Sequence, residues 1–460
     1  MRARVHPANE APKGCIMQIG YFTERPYRNL DEDDVLRNKA FFALPNDRFD
    51  HIQAAEDYNY WLDEYCAAEE LGFDVLALNE HHGNPICMGS VQNIEASILA
   101  RITKRARIAL IGNPLPVNKH PLRLAEELAT IDVISAGRLI SGWVRGAGSE
   151  QYFNNANPAY NRELLDEAHE FILQAWTRPG PWRYEGKHFH YRHVNPWVLP
   201  YQKPHPPIWM PGVLSPETVL WAADRGYPYI GLGTAIAPTC ELWDIYADRA
   251  AANGYQAGPE NFGYVVPAFV ADTEERAQEL GRGFVFGGGQ NAFSRPEHTL
   301  PPGYNSKAAT KRLAEAGSAA TTWTGLAAAR RANLLGDDRP QDEDLNAIRQ
   351  KLYRALDRAQ DAHTVLIGTP DQVAAKVKRL MSITRPGVLI FLHIQGQVAN
   401  ADRMRSLQLL SEYVLPDMRD HARRIGLVDQ FERTPGSVKL AAGSSRDAVI
   451  DRDQLKGLAG

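Results

Sequence analysis

The stretch "LALNEHHGNP", residues 76–85, passes from an apolar run directly into Glu80, His81 and His82. An imidazole is the side chain whose ordinary pKa, about 6.5, lets it be neutral or charged near neutrality, so its place at a strand tip suggests proton chemistry. A metal site is the competing reading. Adjacent residues of an extended chain point to opposite faces, so His81 and His82 cannot easily share one ion. Neither the spacing nor a nearby acidic cluster suits zinc, and no metal is assigned. The plain alternative, a buried histidine satisfied by backbone carbonyls, stays open for either residue. For His81 the preferred reading is a pocket imidazole that donates, accepts or orients.

Two further groups suggest a ligand with an anionic end. In "GVLSPETVLWAADRG" (212–226), Ser215 precedes Pro216 where a helix should begin, and Thr218 follows three residues on. Free N–H groups at such a start attract phosphate, although a plain helix cap would look the same. Arg145 in "WVRGAG" and Arg162 in "PAYNRELLDEAHEFI" add cations near the same end of the fold, or simple surface charge. In "IGNPLPVNKHP", Asn113 stands before Pro114 and Pro116, which can neither continue a strand ladder nor enter a helix. An amide there suits the edge of a heterocycle that both donates and accepts; a turn asparagine is the equal alternative. Tyr21, Trp143, Trp209 and His393 also fall near strand ends and read as core or rim.

The elements that must position these residues alternate in type. Apolar runs at 15–22, 73–79, 107–113, 137–144, 206–212, 227–233, 262–272 and 387–395 read as eight strands, with helical spacing between them, as at 121–135. Near-continuous apolar strands interleaved with helices imply parallel strands covered on both faces, and eight such units imply a (β/α)₈ barrel. Its active site gathers at the C-terminal ends of the strands. Three departures from a minimal barrel stand out: a long charged connection at 23–49, a short hairpin around 183–194, and an insertion at 281–360 between the last two strands. The insertion opens with "GRGFVFGGGQ" and suggests a mobile lid. The expected organisation is a polar arm at 1–15, a barrel over 16–418 and a loosely held extension over 419–460.

Composition narrows the function. A net charge of −4 gives no reason to expect nucleic acid or an acidic membrane, and no apolar run is long enough to span a bilayer. The first fifteen residues lack an apolar core, so no signal peptide is expected, and four cysteines without a C-x-x-C pair fit reduced thiols in the cytoplasm. "GPWRYEGKH" misses the P-loop by one residue and by His188, where Ser or Thr must hold magnesium. Neither a G-x-G-x-x-G after a strand nor a G-x-S-x-G elbow is present.

Taken together, "NEHH", "HPLRLAEELATIDVISAGRLISGWVRG", "YNRELLDEAHEFI" and "PHPPIWMPGVLSPETVLWAADRGYPYI" resemble the bacterial luciferase-like family of flavin-dependent oxidoreductases. The resemblance covers about 16–272 and resumes from 366–380 to 407–418. It implies a (β/α)₈ barrel that binds flavin at the mouth. His81 looks like the family's pocket histidine beside the reactive ring. Asn113 matches the end of the third strand against that ring, often at an unusual peptide bond. Arg145, Arg162, Ser215 and Thr218 match its phosphate contacts. The luciferases carry a cysteine before the strand-four arginine where this chain has Val144, so light emission is not implied. The expectation is a cytoplasmic monooxygenase that uses reduced FMN and dioxygen to hydroxylate a small organic substrate or to insert oxygen in the Baeyer–Villiger manner. A separate flavin reductase and a homo-oligomer, dimer or higher, are expected with it. The alternatives are a dehydrogenase or reductase using a deazaflavin coenzyme, and a flavin-binding protein without catalysis.

Overall fold

The computed structural model describes residues 17–28, 30–31, 33, 44–146, 148–213, 215–284, 344–394 and 396–455. Eleven strands occur among them: β1 (Gln18–Phe22), β2 (Val75–Leu78), β3 (Arg107–Pro114), β4 (Leu139–Val144), β5 (Trp182–Glu185), β6 (His190–Val194), β7 (Ile208–Gly212), β8 (Tyr229–Leu232), β9 (Phe262–Val270), β10 (Leu366–Gly368) and β11 (Val388–Leu392). All but β5, β6 and β10 form a closed ring of eight parallel strands, in which β11 pairs with β1 and β8 with β9. These eight coincide with the eight apolar runs of the sequence, β3 running one residue beyond its run. The hairpin expected around 183–194 is β5–β6, paired antiparallel. The sequence did not suggest β10, three residues that pair only with the outer end of β9.

Strand alternation divides the apolar residues into two sets. Val75, Ala77, Ala109, Ile140, Trp209, Ile230, Val265, Val388 and Ile390 pack inside the ring. Their neighbours Leu76, Leu78, Ile108, Leu110, Leu139, Met210, Tyr229, Leu389 and Phe391 pack outward. The barrel is therefore a filled core and not a pore.

The outer residues are covered by helices. In chain order these are α1 (His51–Glu70), α2 (Gln92–Ile102), α3 (Pro121–Ile134), α4 (Gly148–Phe153), α5 (Asn161–Thr177), α6 (Pro216–Arg225), α7 (Ile236–Ala252), α8 (Glu274–Gly281), α9 (Leu345–Asp361), α10 (Pro370–Thr384), α11 (Asn400–Leu409) and α12 (Leu415–Arg424). Local chemistry sets their ends. The Asp50 side chain accepts from the N–H groups of Ile52 and Gln53 at the start of α1, and Gly226, at φ +68°, closes α6. No described helix is long and apolar enough to cross a membrane.

Most of the expected insertion, 285–343, lies outside the described residues, and so does the Gly-rich part of the predicted lid. The tail departs from expectation. Instead of hanging loosely, residues 425–455 pack against the barrel's base. Leu427, Val449 and Ile450 are buried, Gln18 Nε2 donates to Asp429 Oδ2 at 2.6 Å, and Phe431 packs on the inner apolar set under the guanidinium of Arg107. Arg446 adds ion pairs to Asp244 at 3.0 Å and Asp248 at 2.5 Å. The apolar residues that make this seal are spread singly among polar ones, so no periodic signal marks them.

Candidate functional site

β2 ends at Leu78, and the chain runs on irregularly through Glu80, His81 and His82 to Gly83. Gly83 has φ +68°, and a Cβ there would lie 3.0 Å from the Phe153 ring, so glycine lets α4 rest on this loop. The same helix delivers Glu150, 2 % exposed, whose Oε1 lies 2.7 Å from His81 Nδ1. Glu24, two residues beyond β1, approaches His81 Nε2 at 3.9 Å and accepts a hydrogen bond from Asn79 Nδ2. His82 turns to a different partner, its Nε2 3.2 Å from Glu80 Oε1.

These surroundings change the proton affinity expected of a free imidazole. Burial alone would lower it. The Glu150 hydrogen bond and the charges of Glu24 and Glu150 outweigh burial and the nearby Arg25, and hold His81 at about 9. The Glu80 hydrogen bond raises His82 as well. Arg25 is itself buried, pairs with Glu95 at 2.5 Å, and donates to the Asn79 carbonyl at 2.6 Å, so it fixes the loop that carries Glu24.

β3 and β4 meet closely beside this cluster. Their register shifts between Leu110 and Asn113, and the peptide bond between Ile111 and Gly112 is cis. A Cβ on Gly142 would collide with the Leu110 carbonyl, which makes glycine obligatory there. Asn113, 3 % exposed, has no hydrogen-bond partner for Nδ2. A buried amide donor without a partner costs roughly 1–3 kcal/mol, and a ligand acceptor would recover it.

The third group forms around the start of α6. Ser215 is its N-cap residue but makes no side-chain cap; instead Ser215 Oγ donates to Glu217 Oε2 at 2.9 Å. Arg162 Nη2 donates to Ser215 Oγ at 3.1 Å and lies 3.5 Å from Glu217 Oε2. Thr218 is buried in the first turn. Arg145 stands at the end of β4, where its carbonyl accepts from Gln151 Nε2 at 3.1 Å; this ties it to the helix carrying Glu150.

The structure thus joins Arg162 to Ser215 directly and sets His81, Asn113 and Arg145 on the C-terminal side of β2, β3 and β4. Tyr21, Trp143, Trp209 and His393 are fully buried core residues; Tyr21 donates to Glu64, which pairs with Arg403 at 2.7 Å. Three acids escaped the sequence reading: Glu24, Glu150 and Glu217. Glu24 follows β1 as Glu80 follows β2, so searching every strand end for acids would have found it. Glu217 lies inside a stretch already singled out. Glu150 had no such signal. Among the described residues, no cluster of histidine, cysteine and acidic groups suits a metal ion.

The fit to a flavin rests on these donors. An unpartnered buried amide suits a heterocycle edge, and an arginine with a hydroxyl at a helix start suits a phosphate. Inside the mouth, Phe22, Ile111, Leu392 and Ile394 are apolar and buried.

The chain is similar to several known proteins. The alkanal monooxygenase alpha chain of Photobacterium leiognathi is 28% identical over 224 residues, 48% of this chain and 61% of that one. The oxygenase component of the flavin-dependent trigonelline monooxygenase of Acinetobacter baylyi is 29% identical over 168 residues, 35% of this chain and 45% of that one. The chain thus spans about half the length of these curated relatives. Among solved structures, the oxygenating constituent of the Baeyer–Villiger 3,6-diketocamphane monooxygenase of Pseudomonas putida, in complex with FMN, aligns with TM-score 0.59 at 18% identity, covering 87% of this chain and 98% of that one. An F420-dependent secondary alcohol dehydrogenase aligns with TM-score 0.55 at 15% identity over 88% and 100%. At such identities the two structures establish the fold alone. The luciferase-like monooxygenase family matches residues 39–384, and with that match over most of its length the chain belongs to this family of flavin-dependent enzymes.

Proposed function

We propose that this protein is the oxygenase of a two-component system that uses reduced FMN, delivered by a separate flavin reductase, to place one oxygen atom from dioxygen into a small organic substrate. The observation that carries this reading is the combination, on one barrel mouth, of the Arg162–Ser215 pair at a helix start with the buried, unpartnered Asn113 amide. In this reading Arg162, Ser215, Thr218 and Arg145 hold the phosphate, Asn113 meets the ring edge, and His81 serves the reacting end. Glu217 now takes the Ser215 hydroxyl and lies beside Arg162, so a phosphate takes over partners that this carboxylate holds. When bound, reduced FMN supplies the activation of dioxygen needed for hydroxylation or Baeyer–Villiger insertion. The apolar inner set under the mouth excludes water from that chemistry.

The trigonelline relative is named as an oxygenase component and the diketocamphane enzyme as an FMN complex; both names support the assignment. A cytoplasmic location and a homo-oligomer belong to the same reading, in keeping with free Cys66, Cys87 and Cys240. The likeness to the F420-dependent dehydrogenase motivates a second reading, hydride transfer with a deazaflavin coenzyme. Oxygen uptake with reduced FMN, set against anaerobic turnover of reduced deazaflavin, separates the two. Incorporation of labelled dioxygen into a product of a substrate screen supports the first; deazaflavin turnover without oxygen supports the second. Binding of flavin with neither activity would leave a non-catalytic flavin carrier.

A further inference from the structure

We propose that Glu150 is a positioning residue: it fixes the His81 ring through Nδ1 and holds it as the imidazolium, so that Nε2–H stands ready as a hydrogen-bond donor and not as a base. The proposal deepens the role given to His81 above and rests on that reading for its catalytic meaning. Its physical basis is independent of any cofactor.

The Glu150 carboxylate is almost wholly buried, and among the described residues it makes one side-chain hydrogen bond, to His81, with Oε2 left without a partner. A buried carboxylate in that position is costly unless a cation faces it. The mount beneath it is fixed from several sides. Phe153 packs on Gly83 in the histidine loop, Gln151 Nε2 grips the Arg145 carbonyl at 3.1 Å, and a Cβ on Gly146 would lie 3.4 Å from Glu150 Cβ. The helix that carries Glu150 is thus held in place, and its carboxylate meets the His81 ring at Nδ1.

The charges around the imidazole come from three segments. Glu24 and Arg25 face it from beyond β1, Glu150 faces it from α4, and Glu80 with His82 flank it on its own loop. Arg25 is matched by Glu95 at 2.5 Å, and His82 by Glu80 at 3.2 Å. Glu24 and Glu150 thus leave a net negative field at His81, which favours its charged form. The raised proton affinity, about 9, agrees with that balance. An imidazolium across the neutral range offers a donor to an anionic oxygen at the mouth, whereas a base would have to lose its proton first.

Titration of His81 by nuclear magnetic resonance in the ligand-free full chain tests this, with ring-labelled histidine and His81→Asn to assign the signal. The wild-type midpoint should lie well above the ordinary histidine value of about 6.5. Glu150→Gln should lower it by about one to three pH units, the range expected when an adjacent opposite charge is removed. Glu150→Asp should restore much of the elevation, and Glu24→Gln should lower the midpoint less than Glu150→Gln. A wild-type midpoint at the ordinary value overturns the proposal even if no variant folds; so does a midpoint that Glu150→Gln leaves unchanged. Thermal unfolding run in parallel shows whether a loss is one of folding. Since the titration needs no flavin, its failure is distinct from failure of the FMN reading, which flavin binding reports.

Discussion

Particular carboxylates at the two ends of the barrel work in different ways. At the base, Glu69 and Asp429 accept chiefly from backbone amides, with Gln18 as a further side-chain donor to Asp429. Glu69 takes the N–H groups of Lys104, Arg105 and Ala106 at 2.6–3.0 Å, and Asp429 takes those of Phe431 at 2.7 Å and Glu432 at 2.9 Å. At the mouth, acids face side chains: Glu150 and Glu24 face His81, and Glu217 faces Ser215 and Arg162. A backbone amide cannot swing away, but a serine hydroxyl or a guanidinium can change partner when a ligand arrives. The base is therefore suited to permanence and the mouth to exchange, the division expected of the bottom and top of a (β/α)₈ barrel.

Five substitutions would break or sharpen this contrast. His81→Ala should have the largest effect. Product formation should fall by about 10²–10⁴, with FMN affinity within a few-fold of wild type and oxygen released as hydrogen peroxide. His82→Ala, whose ring is turned to Glu80, should lose far less coupling. Parallel assays of product and peroxide decide between the two histidines, and full coupling in His81→Ala would make that residue structural. Next, Arg162→Ala should weaken FMN by roughly tenfold to a hundredfold, as expected for loss of a charge-assisted hydrogen bond. Riboflavin, lacking the phosphate, should lose much less. Equal losses measured by equilibrium titration would remove Arg162 from the phosphate site.

Glu69→Gln tests the base. It should cost about 2 kcal/mol of stability while FMN affinity stays unchanged. Burial raises the Glu69 carboxyl, but its three backbone donors more than compensate and leave it lowered. Its folded value lies below its unfolded one, so its stabilisation is complete above the ordinary carboxylate range and drains away as pH falls through the lowered value. Denaturant unfolding of wild type and Glu69→Gln should accordingly differ most near neutrality and converge in acid. A change in FMN affinity of the same size would blur the division between the two ends. The smallest effect is expected from Ser215→Ala. One neutral hydrogen bond contributes about 0.5–1.5 kcal/mol, so FMN should weaken by roughly two- to tenfold without change in the unfolding midpoint.

Much of this arrangement is legible in the amino-acid sequence. The eight ring strands are near-continuous apolar runs because both faces of each are covered, and that leaves a strong local signal. His81, Asn113, Arg145, Arg162, Ser215 and Thr218 could be picked out because each stands at a strand end or helix start with unusual neighbours. What stayed hidden depends on distance along the chain. Glu150 lies on a helix of six residues, too short for periodicity, and meets a histidine 69 positions earlier. β10 has three residues, which no alternation can mark. The base seal pairs Gln18 with Asp429 across 411 positions, and nothing near either residue announces the other.

That last pairing has a consequence for how the chain is made. β1 gains its second neighbour, β11, only once Val388–Leu392 exists, and Phe431 and Asp429 reach the floor later still. During synthesis from the N-terminus, β1 therefore offers an open edge of unpaired amides while the 365 residues between Phe22 and Val388 follow it, the situation that most invites pairing with another chain. A nonsense or frameshift lesion upstream of Val388 should thus behave as an aggregation defect, with protein collecting in the insoluble fraction, although His81, Asn113, Arg145, Arg162 and Ser215 have already been translated.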